Sequence, residues 1–240
     1  MGEAFLWGGV AASTLLLGAL LAYWFHPGPR LIGAVMALGS GLLIGSVSFE
    51  LIDEALKTRT VGWVGLFLFV GAGVFTAGDW LIARRGGSER KDPSGEQAEG
   101  SPLAIVLGSI LDGIPESFVL GLTVLQGGVS VGLLFGIGLS NLPEGMSSSS
   151  GLDAAGWPRR KVVLMWIAVA LVSAVSAGLG YVLLDPDSAR TGALVQSFAA
   201  GALLAMLANT MLPEAYELEG IVSGPLVVTG FAASVALSAI

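Results

Sequence analysis

Residues 103–125 read LAIVLGSILDGIPESFVLGLTVL. A helix of this length crosses the roughly 30 Å of a bilayer's hydrocarbon core. No Lys, Arg or His interrupts it, yet Asp112 and Glu116 lie in its middle. The next apolar run, 129–151, carries Glu144, and two others carry Glu50 and Glu214, again with no base inside the run. A charge at the centre of a bilayer costs at least about 2.5 kcal/mol, so such residues face a protein-lined path and mark function. With no basic partner in the run, the counter-charge is a bound cation or a proton, and the imbalance points to cation handling within a membrane.

Composition agrees. The 240 residues are 54% hydrophobic and 12% charged, with a mean hydropathy of +0.81, as in a membrane protein. The net charge of -7 comes partly from acids in or near the apolar runs. No large basic patch argues for nucleic acid. The chain has no Cys, which excludes disulfides and thiolate metal sites, and its one histidine, His26, lies at the end of a run. The opening Met-Gly-Glu lacks the positive region that precedes a cleavable signal.

The runs predict an all-α membrane protein in a single domain, with eight transmembrane helices near 4–25, 31–56, 61–83, 103–125, 129–151, 162–184, 192–217 and 220–240. Continuous rather than alternating hydrophobicity excludes a β-barrel. The 36 glycines favour close helix contact and a compact bundle. Loops 1, 3, 5 and 7 together hold eight of the Lys and Arg residues, and the opposite side holds three, Lys57, Arg59 and Arg190. The bias places the odd loops in the cytoplasm and both termini outside it, in the cytoplasmic (inner) membrane. Residues 86–101, GGSERKDPSGEQAEGS, read as a disordered cytosolic linker.

Two repeats of opposite sense are visible. Gly41–Ala55, GLLIGSVSFELIDEA, aligns with Gly201–Ala215, GALLAMLANTMLPEA, at an offset of 160. LDGIPES from Leu111 aligns with LSNLPEG from Leu139 at an offset of 28. Each pair would cross the membrane in opposite directions. The pattern predicts a 3+2+3 inverted-repeat bundle about an in-plane pseudo-two-fold axis, as in secondary transporters with a midplane site.

Residues four apart share a helix face. Asp112 stacks on Glu116, and Ser140 on Glu144 with Asn141 beside them. Pro115 and Pro143 each free a carbonyl one turn earlier, on Leu111 and Leu139. Both sets fall near mid-span, where carboxylates, an amide, a hydroxyl and freed carbonyls make an oxygen-rich cage. Protonated acids that hydrogen-bond between helices are the structural alternative.

These segments, with the eight-span plan and long third loop, resemble the Zrt/Irt-like (ZIP) divalent-metal transporters. Their fourth and fifth helices carry H-N-x-P-E-G and H-[N/D/E]-x-P-E-G. Pro115-Glu116, Pro143-Glu144, Asn141 and Gly145 match, with weaker support from Pro213-Glu214. Asp112 and Ser140 stand in the two leading His positions, Gly113 in an Asn position and Ser117 in a Gly position. The resemblance implies one metal site from Asp112, Glu116, Ser140 and Glu144. A second, using Asn141 with the shared glutamates, lacks a ligand at Gly113. It also implies a homodimer and transport of zinc, manganese, iron or cadmium-class ions toward the cytoplasm, with no cofactor and no enzymatic activity. An all-oxygen site shifts preference toward harder ions.

Glu50, Asp53 and Glu54 would line the entrance, and Asn209 and Glu214 the exit, since acids at pore mouths concentrate cations. For Asp53, Glu54, Glu217 and Glu219 the plain alternative is a solvated helix end. Alternating access would carry the ion between the two mouths. Binding to deprotonated carboxylates strengthens as pH rises. Two alternatives stand beside this reading. One is a carrier of another cation, or a proton-coupled one. The other is an intramembrane aspartyl protease using Asp79 and Asp112, for which the Gly-x-Gly-Asp pattern fails at Thr76.

Overall fold

A computed structural model describes residues 1–84, 102–182 and 189–238, with side chains from 106 and from 190 in the latter two segments. The linker at 86–101 lies outside the described residues. The described chain is helical: α1 (Gly2–Phe25), α2 (Pro29–Ser46, continued by a π-turn Val47–Ile52 and Asp53–Thr58), α3 (Val61–Ile82), α4 (Pro102–Leu125), α5 (Val131–Ala154), α6 (Arg159–Val182), α7 (Ala189–Met206, continued by a π-turn Leu207–Met211 and Leu212–Glu219) and α8 (Ser223–Ser238). Among the described residues there is no strand.

Local chemistry sets the boundaries. His26, with φ 48°, ends α1 in the left-handed region, and Pro29 opens α2 at a position whose N–H has no helical partner. Gly127, with φ 129°, makes the short connection from α4. Ser130 then caps α5 by accepting the Leu133 N–H at 3.0 Å. Both α4 and α5 run on through their internal prolines.

Among the described residues six stretches are long and apolar enough to cross a membrane: Gly2–Phe25, Pro29–Thr58, Val61–Ile82, Val106–Leu125, Arg159–Val182 and Arg190–Ser238. They point to an integral membrane protein. This differs from the eight expected runs in two places. Val131–Ala154 is a helix of sufficient length, but its Ser, Asn and Glu residues lower its hydropathy. Residues 190–238 form one helical stretch, since only the turn Gly220–Val222 separates α7 from α8. Large apolar side chains on the outside, such as Phe69 at 81% exposure and Ile221 at 83%, are suited to lipid.

The helices pack in two groups. Helix α1 packs on α5 and α6, and α4 on α6; α2 packs on α8, and α3 on α7. Contacts of α2 with α5, and of α7 with α4, join the groups. Four of these contacts are made by glycines used reciprocally. A Cβ on Gly41 would fall on the Val227 carbonyl oxygen, and one on Gly230 on that of Leu38. At α7 and α3, Gly201 faces the Leu68 oxygen and Gly71 that of Phe198. At α1 and α5, Gly18 faces the Leu142 oxygen and Gly145 that of Leu15; at α6 and α4, Gly180 faces that of Phe118 and Gly121 that of Ala177.

These contacts have a regular spacing. Gly41 and Gly201 are 160 residues apart, as are Leu38 and Phe198 and the starts of the two π-turns, Val47 and Leu207. Gly121 and Gly145 are 24 apart, as are Phe118 and Leu142. The Pro-Glu segments align at 28, so packing and motif differ by four residues. That is about one helical turn: the face is kept and the depth changes.

Because these Cβ atoms would meet backbone, Gly41→Ala, Gly201→Ala and Gly71→Ala are each expected to cost about 1–3 kcal/mol. Thermal unfolding in detergent measures the loss. Gly62→Ala and Gly73→Ala, where nothing lies within 4 Å, are expected to show none.

Candidate functional site

Helices α4 and α5 bury their central polar residues. Asp112 and Glu116 are each 2% exposed, Ser140 1%, and Asn141 and Glu144 4%. Among the described residues no Lys, Arg or His is buried. The Ser140 hydroxyl is 3.5 Å from Glu116 Oε1 and donates to the Ile137 carbonyl at 2.9 Å. Asn141 is turned away from these acids and donates to the Ala11 carbonyl on α1 at 3.4 Å.

Depth follows from the Ser140–Glu116 contact. The short connection at 126–130 makes α4 and α5 antiparallel neighbours, so one turn back on α4 and one turn forward on α5 move in the same direction. Asp112 and Glu144 therefore lie about 6 Å from the Glu116–Ser140 level, both toward the end where α4 begins and α5 finishes. The acids are spread over two levels. Accordingly, among the described residues no three His, Cys, Asp or Glu side chains come together at metal-holding spacing.

Sequence reasoning missed how far this polar surface continues. One further turn along lie Ser109 on α4 and Ser147 and Ser148 on α5, all buried. The signal was the run of four serines at 147–150, directly after Pro143-Glu144-Gly145-Met146. Ser149 accepts the Trp166 Nε1–H at 2.9 Å and so ties α5 to α6. Toward the other end the same helices bury Leu120 and Val124, and Gly136 and Leu133. Thr123 is the buried polar residue of α4 at that end, so the serine-rich surface is concentrated at the other.

Gly113 also has a structural reason. A Cβ there would lie 2.9 Å from the Ser173 hydroxyl on α6. A side chain at this position would have to displace that hydroxyl.

The outer candidates divide. Asp53 and Glu54 pair with Lys57 at 3.7 and 2.7 Å on an exposed helix end, the plain alternative for both. Glu50 is half-buried, with Oε1 against Gly132 and its carboxylate facing the Ser46 hydroxyl and the Leu133 N–H that Ser130 caps. Asn209 is exposed and donates to Thr76 at 3.3 Å, and Glu214 is half-buried. Asp79 is half-buried on α3.

At the serine-rich end, Arg159 reaches both carboxylate oxygens of Asp153 at 3.1 and 3.0 Å. This hydrogen-bonded guanidinium holds the Asp153 carboxyl below the usual carboxylate range. A lowered pKa in the folded state stabilises fully above about pH 4, and the contribution is lost as pH falls through the lowered value. The pair is partly exposed, so the effect is small. Asp153→Asn is expected to lower the thermal midpoint at pH 7 by at most about 2–4 °C, with the difference vanishing on acidification. A pH series of melts measures this.

No protein-family model matches the chain, and no curated protein matches it.

Proposed function

We propose that this chain is a membrane carrier of divalent cations of the ZIP type, moving zinc, manganese, iron or cadmium-class ions toward the cytoplasm. The observation that carries the reading is the burial of Asp112, Glu116 and Glu144 without a buried base among the described residues. A carboxylate held at mid-span depth attracts a proton or a cation. Oxygen donors of this kind suit divalent metals, zinc included.

The proposed architecture is eight spans in a 3+2+3 inverted repeat, with both termini outside the cytoplasm. Supporting it are the reciprocal glycines and the π-turns, which recur at the spacing of the repeated segments. Helix α5 serves as a span despite its polarity, because its polar residues are buried against protein rather than lipid. The proposed assembly is a homodimer.

The ion enters at the Glu50 end and is held by Glu116 and Ser140, then by Asp112 and Glu144, with Asn141 at the margin. It leaves past Asn209 and Glu214. The two-level spacing of the acids suits a site that hands its cargo onward, since a carrier must release what it binds. The residues hold and orient the ion; the exchange of open sides is alternating access.

Uptake of Zn, Mn, Fe or Cd into metal-free liposomes containing the purified protein tests this. Flux above empty vesicles is expected, and its absence for all four ions overturns the reading. Glu116→Ala and Glu144→Ala are each expected to reduce uptake to the empty-vesicle level while the protein still elutes as a folded species. Unchanged uptake in both removes the assigned site. Asp112→His adds an imidazole and is expected to move preference toward zinc, read by competition between zinc and manganese.

A further inference from the structure

Glu50 is not aimed at the exposed end of α2, where Asp53 and Glu54 meet Lys57. Its carboxylate turns into the contact between α2 and α5. Oε1 occupies the space that a Cβ on Gly132 would take. The carboxylate faces the Leu133 N–H in the first turn of α5, a donor it shares with the Ser130 cap, and the Ser46 hydroxyl one turn back on α2. Ser46 in turn lies 3.3 Å from Ser234 on α8. A carboxylate only accepts, so Ser46 donates to Glu50 and Ser234 donates to Ser46. One chain of hydrogen bonds therefore ties α8, α2 and α5 together at one end of the bundle.

Three details mark this tie as built. Gly132 leaves room for the carboxylate, and no larger residue would. The first turn of a helix carries the positive end of its dipole, which favours a carboxylate. Glu50 itself sits in the π-turn Val47–Ile52, a distortion of the kind found at functional positions in helices.

The tie has no twin. The residue 160 positions on is Thr210, in the second π-turn, and its hydroxyl bonds back to the Met206 carbonyl of its own helix at 2.8 Å. The repeats differ at the position where one of them reaches across to α5.

We propose that Glu50 is a latch: its carboxylate, seated over Gly132, holds the start of α5 against α2 and keeps this end of the bundle closed over the buried acids. Opening at this end requires the carboxylate to leave the Leu133 N–H. Only the meaning of that opening, admission of a cation, rests on the carrier reading; the latch does not.

The chain has no cysteine, so single probes can be introduced cleanly. Ile137→Cys reports on the buried layer between Leu133 and Ser140, where Ile137 is 1% exposed. Ala19→Cys reports on a remote core cluster against α6. Each is labelled with a water-soluble thiol reagent in detergent, in the parent and with Glu50→Ala, Glu50→Gln or Gly132→Ala. Loss of a hydrogen-bonded carboxylate is expected to speed labelling at Ile137→Cys by roughly tenfold or more. Gly132→Ala, which drives a methyl into the carboxylate's place, is expected to do the same. Glu50→Gln, whose amide oxygen still accepts from Leu133, gives a smaller rise. Labelling at Ala19→Cys stays unchanged. Unaltered labelling at Ile137→Cys in both Glu50→Ala and Gly132→Ala overturns the latch, and so does an equal rise at both probes, which signals general loosening. Faster labelling at Ile137→Cys alone, with no metal uptake by the parent, sustains the latch and overturns the carrier.

Discussion

The bundle depends on backbone meeting backbone at paired glycines. In lipid, helices gain nothing by hiding apolar side chains from water, so association rests on close packing and hydrogen bonds. Four interfaces use the same device: Gly41 with Gly230, Gly201 with Gly71, Gly18 with Gly145, and Gly180 with Gly121, each under a carbonyl of the opposing helix. Each of these glycines does what no other residue does, since even a methyl would meet an oxygen. The apolar exterior is then left to the lipid, and the polar residues are left to the places where helices face one another.

That division makes the buried acids tolerable. Asp112, Glu116 and Glu144 are carried on helices whose other faces are closed by glycine contacts to α1 and α6, so they are shielded from lipid by protein. The serines at 109, 147 and 148 extend the polar surface toward one end, while leucines, a valine, a glycine and Thr123 are buried at the other. A protein symmetric in its packing is thus asymmetric in its polarity.

The same asymmetry appears in the paired π-turns. Both interrupt long helices at matched positions, and both widen the helix where a side chain can be re-aimed. In one, Glu50 crosses to α5. In the other, Thr210 folds back on its own helix. At the matched position a carboxylate reaches α5 where a hydroxyl bonds its own helix, and the second turn instead meets α3 through Asn209 and Thr76.

The amino-acid sequence by itself determined the helical class, the membrane setting, the acids without bases and the 160-residue recurrence, because apolar run length, charge and the identity of repeated residues are all properties of the chain read in order. It also placed Asp112 with Glu116 and Ser140 with Glu144 on shared faces, since helical periodicity is local. Only the tertiary structure decided depth and direction. The Pro-Glu segments align at 28, but the glycines seat α4 and α5 with a repeat of 24, so the acids occupy two levels. Asn141 turns to Ala11, Ser173 takes the room beside Gly113, and Glu50 leaves the solvent for Gly132. The reason is physical: periodicity says which face of a helix a residue occupies, whereas how far one helix slides along another depends on which glycine comes to rest beneath which carbonyl, and that is known only when both helices are in place.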